Sequence, residues 1–256
     1  MLIATILYYQ RGIKMSNKPF GIDVSRWQGK INWDIIAAHK EPVRFAGIRA
    51  TISWGYADSW FKRNWQEAKR VGILRMAYHV IYPAQDPKRQ MDNLFNTVGS
   101  DTGELPLVLD VELDHKQSPD KIQSNILKSA AIIEERTGRK PIIYSRASWV
   151  NPFITANRTP PGWLNDYDWW LAHYLRSGSE HPGPPALPKG LVSERLLIHQ
   201  TSDHGPAIGA ESKMMDYNRW QYDEAHLEKY AGVKFGLSYE EKFDLLWKAH
   251  PELHPG

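Results

Sequence analysis

The chain has 256 residues, of which 42% are hydrophobic and 12% aromatic, enough to bury the core of one sizeable domain. Its net charge of +3 is small, and no block of Lys or Arg could follow a phosphate backbone, so nucleic acid is excluded as an expected partner. The chain contains no cysteine, which excludes disulfide scaffolds, cysteine-ligated zinc and thiol nucleophiles.

The N-terminal segment contains an apolar stretch from Leu2 to Tyr9. This stretch is far shorter than the roughly 20 residues that span a bilayer, and no basic segment precedes it, so it predicts neither a signal peptide nor membrane insertion. Translation could begin at Met15, just before the first strand-like run. We therefore expect residues 1–17 to be an N-terminal extension outside the fold.

Eight short runs of apolar and β-branched residues alternate with helix-like segments along the chain. This alternation is typical of a parallel sheet with crossover helices. The predicted strands are Phe20–Val24, Phe45–Ala50, Leu74–Ile81, Leu107–Glu112, Pro141–Tyr144, Trp169–His173, Leu196–Gln200 and, with the weakest signal, Met214–Tyr217.

Helix signals lie between several of these strands. Two of them consist of a capping residue followed by proline, which suits the first helical turn because the amide that proline lacks would have no partner there. A glycine follows each apolar stripe and predicts the helix end. The predicted helices begin at Asp58 or Ser59, at Asp86-Pro87 and at Ser118-Pro119, and they end at Gly72, Gly99 and Gly138.

These elements predict an α/β protein with a modified, irregular TIM-like β/α barrel in a single domain over residues 18–231. Several connections are short for full helices, and a doubly wound sheet is the alternative. Either fold places functional residues at the carboxyl ends of strands. Residues 232–256 are too few for a second core, and Ser238 to Ala249 has a capping box and an apolar stripe, so we expect a C-terminal helical tail that docks on the barrel.

Two carboxylates follow a fully apolar run, in Leu109-Asp110-Val111-Glu112. Because side chains alternate along a strand, Asp110 and Glu112 share one face. Two neighbouring carboxyl groups raise each other's proton affinity, so one of them can stay protonated as a general acid. The same spacing also occurs in structural and solvated pairs. With His115, the pair could instead hold a divalent ion in a metal-dependent hydrolase or deacetylase.

Two further carboxylates lie in the first and last predicted strands, which are neighbours in a closed barrel. Asp23 lies near the end of the first strand, and Asp216 lies in the last. We therefore expect Asp23 and Asp216 to face each other across the mouth that also holds Asp110 and Glu112. Four carboxylates at strand ends indicate an active site.

Five motifs occur in the order and spacing of glycoside hydrolase family 25. They are Asp23-Val24-x-x-x-Gln28-Gly29, Leu109-Asp110-Val111-Glu112, Pro141-Ile142-Ile143-Tyr144-Ser145, Trp170-Leu171-Ala172-His173-Tyr174 and Asp216-Tyr217-Asn218. Over roughly residues 18–222 the chain resembles these lysozymes, the N-acetylmuramidases of phage endolysins and bacterial autolysins. The resemblance implies a cofactor-independent enzyme that cleaves the β-1,4 bond between N-acetylmuramic acid and N-acetylglucosamine in peptidoglycan.

The resemblance also implies roles for the carboxylates. Glu112 would be the general acid, and Asp110 would orient or stabilise the 2-acetamido group of the substrate. Asp23 and Asp216 would line the groove and tune the protonation of that pair. One motif departs from the family: many members have Lys-x-Ser/Thr-Glu-Gly after the second strand, whereas this chain has Arg49-Ala50-Thr51-Ile52-Ser53. The missing glutamate predicts a changed groove wall.

Other side chains near strand ends are candidate substrate contacts. The aromatic candidates could stack on sugar rings or simply fill the core, and the glutamine could hydrogen-bond to the substrate. These candidates are Tyr78, Tyr144, Trp170, Tyr174 and Gln200. Three histidines within strands, His79, His173 and His199, are predicted to be core residues rather than ligands.

We expect a monomer that binds peptidoglycan. Such a protein would stay in the host cytoplasm until it is released to the cell wall, as a phage or prophage lysin does, or it would leave by a non-classical route. A different interpretation is a glycan-binding or phage structural module that keeps the barrel without turnover.

Overall fold

The computed structural model describes residues 18–155, 158–175 and 179–235. The expected N-terminal extension and the predicted helix from Ser238 to Ala249 lie outside the described residues. Within the described ranges, no helix is long and apolar enough to cross a membrane.

The described residues contain nine strands in one sheet. Eight of them close into a barrel, since the sheet order is β1-β9-β8-β7-β6-β5-β4-β2-β3 and β1 also pairs with β2. The strands are β1 (Phe20–Val24), β2 (Val43–Ile52), β3 (Tyr56–Ala57), β4 (Leu74–Val80), β5 (Val108–Asp110), β6 (Ile142–Ser145), β7 (Trp169–Ala172), β8 (Leu196–Pro206) and β9 (Met214–Trp220). All eight predicted strands are present, and the pairing of β1 with β2 excludes the open, doubly wound alternative.

The barrel is irregular because its last strand runs backwards. β9 is antiparallel to both of its neighbours, β8 and β1, whereas the other seven barrel strands all run parallel to one another. The short chain between Pro206 and Met214 allows only a hairpin, because a parallel connection needs a crossover of a dozen or more residues. The short strand β3 pairs only with β2, outside the closed ring, and the sequence pattern did not predict it.

Six α-helices occur in the described part of the chain. Two of them begin as predicted, with the side chains of Asp86 and Ser118 accepting hydrogen bonds from the amides of Arg89 and Lys121. The helices are α1 (Trp33–Ala37), α2 (Phe61–Arg70), α3 (Pro87–Val98), α4 (Pro119–Thr137), α5 (Ala147–Val150) and α6 (Glu224–Ala231). The predicted start of α2 at Asp58 or Ser59 is wrong by two or three residues, because Asp58 forms a turn of its own by accepting the Trp60 amide. The sequence patterns did not predict α1, α5 and α6.

The core has two parts. One lies between the sheet and the surrounding helices and contains Leu109, which points to the opposite side of β5 from Val108. The other contains Val108 and fills the barrel interior beneath the strand ends, together with Phe45, Met76, Trp170 and Trp220. Leu227 of α6 belongs to this inner cluster, so α6 covers the barrel on the side opposite to the strand ends that contain the carboxylates.

Candidate active site

A cavity with a volume of about 220 Å³ lies at the carboxyl ends of the parallel strands. It is lined by Asp23, Ser25, Trp27, Gln28, Arg49, Tyr78, Asp110, Glu112, Tyr144, Trp170, Gln200 and Asp216. The structure therefore brings together the four predicted carboxylates and four of the five predicted substrate contacts. The fifth, Tyr174, does not line the cavity. A larger groove of about 330 Å³ between Lys30 and Glu211 contains none of these carboxylates.

Glu112 lies beyond the end of its strand but still reaches the cavity. β5 ends at Asp110, two residues earlier than predicted. The Val111 amide nevertheless donates to the Tyr144 carbonyl oxygen at 2.9 Å, which keeps the chain beside β6 after the strand ends. Asp110 and Glu112 consequently line the same cavity, as the alternation of side chains predicted.

Asp23 and Asp216 face each other as register partners on the antiparallel strands β1 and β9. Asp216 is therefore near the start of its strand, and the expectation that it lies at a strand end, like Asp23, was wrong because β9 runs backwards. The two carboxyl groups share a hydrogen bond. Oδ2 of Asp23 also accepts hydrogen bonds from Gln200 Nε2 at 2.8 Å and from Asn218 Nδ2 at 2.9 Å.

The side-chain amides of Gln200 and Asn218, which donate to Asp23, also form hydrogen bonds with aromatic side chains that line the cavity. The Tyr144 hydroxyl donates to Gln200 Oε1 at 2.8 Å, and Trp170 Nε1 donates to Asn218 Oδ1 at 2.8 Å. Trp170 is only 2% exposed and meets Tyr144 edge to face, so it forms the floor of the cavity. Gly47 makes room for it, because a Cβ atom at Gly47 would lie 2.7 Å from the Trp170 ring.

Burial raises the proton affinity of all four carboxyl groups. It raises the pKa of Asp110 well above its usual range, and the charges of Glu112 and Asp23 raise it further. Burial also raises the pKa of Glu112, although the nearby Arg146 opposes this effect. Burial and the neighbouring Asp23 raise the pKa of Asp216 to about 10, which makes Asp216 the member of this pair that favours the protonated form. Burial raises the pKa of Asp23. The hydrogen bonds from Asn218 and Gln200 oppose this effect, because they stabilise the ionised form of Asp23.

Four residues that line the cavity were not among the predicted site residues: Ser25, Trp27, Gln28 and Arg49. A capping box positions Trp27, because Gln28 Oε1 accepts the Ser25 amide at 2.8 Å and the Trp27 amide donates to Ser25 Oγ. The Trp27 side chain is 68% exposed at the cavity rim, unlike the buried Trp170. Trp27 lies inside the motif from Asp23 to Gly29, and that motif was the signal that could have identified it.

The motif that departs from the family lies at the end of β2. Ile52, in place of the glutamate, pairs with Tyr56 of β3 and does not line the cavity, whereas Arg49 does. Ser53, in place of the glycine, has a φ of 56°, in the left-handed region that favours glycine. Asn93 Nδ2 donates to the Ser53 carbonyl oxygen at 3.0 Å and supports this turn.

The histidines differ in their surroundings. His115 does not line the cavity, since its ring packs edge to face against Tyr82 with 4.3 Å between ring centres. In the described part of the chain, no group of three His, Asp or Glu side chains is arranged to hold a metal ion. His79 and His199 are buried, and burial lowers the pKa of each to about 4. The prediction that His173 is a core residue was wrong, because β7 ends at Ala172 and leaves His173 partly exposed.

A closed β/α barrel with a carboxylate-lined cavity at its strand ends has the architecture of the barrel enzymes. A profile of the family described as Glycosyl hydrolases family 25 matches residues 22–227, and the chain belongs to this family. The family match and the barrel confirm the predicted resemblance and the predicted fold.

Several relatives match the chain over most of the barrel. The protein named Uncharacterized protein YegX from Escherichia coli O6:H1 is 37% identical over 166 residues, which cover 64% of this chain and 59% of that protein. Lysozyme M1 from Streptomyces globisporus is 30% identical over 217 residues, or 81% of this chain and 69% of the relative. The matched region therefore spans only about three fifths of the Escherichia coli relative.

Solved structures have the same barrel. The bacterial lysozyme from Streptomyces coelicolor is 30% identical, with a TM-score of 0.70 over 83% of this chain and 96% of that chain. A family 25 glycosyl hydrolase from Bacillus anthracis, at 21% identity, also has a TM-score of 0.70, over 85% of this chain and 95% of its own, and shares the fold.

Proposed function

We propose that this protein is a peptidoglycan hydrolase that cleaves the β-1,4 bond between N-acetylmuramic acid and N-acetylglucosamine. Glu112 would be the general acid, and Asp110 would assist through the 2-acetamido group of the substrate. The observation that supports this most directly is that Asp110 and Glu112 line one cavity and that both have raised proton affinities. Family membership and the name of the Streptomyces globisporus relative support the substrate class.

The surroundings of Glu112 suit a group that gives up a proton during the reaction. Its raised pKa keeps more of it protonated near neutral pH than an ordinary glutamic acid, which a general acid requires. After Glu112 has protonated the glycosidic oxygen, it carries a negative charge. Arg146 Nε lies 3.5 Å from Glu112 Oε1 and would stabilise that charge.

The surroundings of Asp110 suit a group that contacts the substrate. Its Oδ1 atom is buried and has no hydrogen-bond partner among the described residues. A buried oxygen without a partner costs about 1–3 kcal/mol, so a bound donor would be favoured at this position. The N–H of a 2-acetamido group is such a donor, and its hydrogen bond would orient the acetamido group beside the reacting carbon.

The remaining cavity residues would provide charge and contact surface. Asp23, with Asp216 as its proton donor, would place a negative charge near the positive charge that develops on the sugar. Trp27 would offer an exposed ring at the rim, and Tyr144 and Gln200 would contact the sugar from the wall. Tyr78, Trp170 and Tyr174 remain predicted contacts, with Trp170 as the floor.

Peptidoglycan would be the partner of this site. Action as a monomer, and release from the host cytoplasm to the cell wall as a lysin or by a non-classical route, remain predictions from the sequence.

The test is Glu112→Gln, compared with Glu194→Gln on the exposed segment before β8. We expect Glu112→Gln to lower the rate of release of reducing ends from purified cell walls by about 10²- to 10⁴-fold with an unchanged melting temperature. Glu194→Gln should leave both unchanged. Muramic acid at the new reducing ends would distinguish a muramidase from a glucosaminidase or an amidase.

Three other outcomes would contradict the proposal. Full activity of Glu112→Gln would rule out Glu112 as the acid. Loss of wild-type activity in chelator would favour the metal-dependent alternative. Wall binding by the wild type without any release of reducing ends would favour a binding module.

A further inference from the structure

Arg49 is held rigidly at the wall of the cavity. Its Nε atom donates to Oδ2 of Asp58 at 2.8 Å, and both side chains are buried. The same Asp58 oxygen accepts the Arg26 amide at 3.0 Å, and the other accepts the Trp60 amide at 3.0 Å. Asp58 is therefore fully engaged, and the ion pair fixes the direction in which the far end of the guanidinium group points.

The far end of Arg49 has an unused donor. Its Nη2 atom is buried and, among the described residues, has no hydrogen-bond partner. Asp110 Oδ1 is the other buried polar atom without a partner in the lining of this cavity. One unpaired donor and one unpaired acceptor in the same cavity point to a ligand that bears both an N–H and an oxygen acceptor.

Arg49 is also the positively charged side chain in the lining of the cavity. Among the described residues that line it, the others carry carboxyl, hydroxyl, amide or aromatic groups. Arg146 approaches Glu112 but lies outside this lining and has a side chain that is 44% exposed. A buried guanidinium group favours carboxylate or carbonyl oxygens, with which it forms hydrogen bonds strengthened by its charge.

The proposed substrate has such an oxygen next to the group assigned to Asp110. N-acetylmuramic acid differs from N-acetylglucosamine by a lactyl ether on carbon 3, beside the carbon that bears the acetamido group. The lactyl group ends in a carboxylate or, where a stem peptide is attached, in an amide carbonyl. Arg49 on β2 and Asp110 on β5 are separated in the sheet only by β4, so one sugar ring can present neighbouring substituents to both.

We propose that Arg49 Nη2 donates a hydrogen bond to the lactyl oxygen and thereby selects N-acetylmuramic acid over N-acetylglucosamine at this position. This inference rests on the proposed function, because it assumes that the muramic acid residue lies beside Asp110. Asp58 is then a positioning residue, which acts through Arg49.

The experiment measures binding by the Glu112→Gln protein, in which turnover cannot distort the result. Three ligands are compared. Two are tetrasaccharides of alternating N-acetylglucosamine and N-acetylmuramic acid, one with free lactyl carboxylates and one with peptide attached. The third is chitotetraose, which has no lactyl group. Arg49→Met should weaken binding of the free-carboxylate ligand by about 10- to 100-fold and of the peptide-bearing ligand by less. Binding of chitotetraose should change less than about twofold. Arg146→Met is the matched control and should not change the preference between ligands.

Arg49→Lys provides a second variant in case loss of the ion pair with Asp58 prevents folding. It keeps a positive charge but lacks the planar fork, so we expect a smaller loss that is again confined to the lactyl ligands. Equal losses for lactyl ligands and chitotetraose would overturn the inference, because Arg49 would then only shape the cavity. Unchanged binding of all ligands would overturn it as well. If the protein with Arg49 intact bound no lactyl ligand and the wild type released no muramic acid ends, the proposed function itself would fail.

Discussion

The ion pair between Arg146 and Glu112 makes a quantitative prediction about the pH dependence of activity. Arg146 Nε lies 3.5 Å from Glu112 Oε1, and the two side chains are 44% and 28% exposed. With the full screening of water, Coulomb's law gives about 1.2 kcal/mol at this distance, or about 0.9 pKa units. Exposed ion pairs are often worth less than this, so we take half a unit to one unit as the expected range.

The sign of the effect follows from the charge. Arg146 stabilises the ionised form of Glu112 and so lowers a pKa that burial raises. Arg146→Met removes that stabilisation, and the acid should then stay protonated to higher pH. We expect the alkaline limb of the kcat/KM profile to move up by about half a unit to one unit at low salt. The shift should shrink in 1 M salt, where the screening length is about 3 Å.

The assay is the initial rate of release of reducing ends from a soluble peptidoglycan glycan at fixed ionic strength. Arg146→Lys keeps the charge and should move the limb much less than Arg146→Met. A limb that stays in place or moves to lower pH in Arg146→Met would refute the reasoning. An equal shift in both variants would show that the charge is not the cause.

Two further predictions concern stability. Asn218→Ala removes one donor from Asp23 and leaves the buried Trp170 N–H without an acceptor, so we expect the free energy of unfolding in urea to fall by about 2–4 kcal/mol. The control Asn96→Ala, on the exposed face of α3, should change the free energy of unfolding by less than about 0.5 kcal/mol. A similarly small effect of Asn218→Ala would contradict the role of Asn218 in a buried hydrogen-bond network. Ser53→Gly removes the strain of a left-handed backbone at φ 56° and should raise the free energy of unfolding. The gain should not exceed about 1 kcal/mol, because the greater freedom of glycine in the unfolded chain offsets part of it. Ser100→Gly, at a residue without positive φ, should not stabilise the protein, and a loss of stability in Ser53→Gly would contradict the assignment of strain there.

Several features were predictable because their signals are local. The apolar runs of the barrel strands, the capping residues Asp86 and Ser118, and the alternation that places Asp110 and Glu112 on one face all depend on residues close together in the chain. Other features were not predictable because they depend on distant contacts. The Asn218 side chain, for example, holds Asp23 across a sequence separation of 195 residues.

The sequence by itself determined the α/β alternation, the candidate carboxylates and the family resemblance, since each is encoded in neighbouring residues or short motifs. Only the tertiary structure decided that β9 runs antiparallel, which places Asp216 near the start of its strand and opposite Asp23. It also decided that Trp170 is the cavity floor while Trp27 is exposed at the rim, and that Asp58 aims Arg49 into the cavity. The physical reason is that burial, proton affinity and hydrogen-bond satisfaction belong to the assembled barrel and are not properties of any one segment.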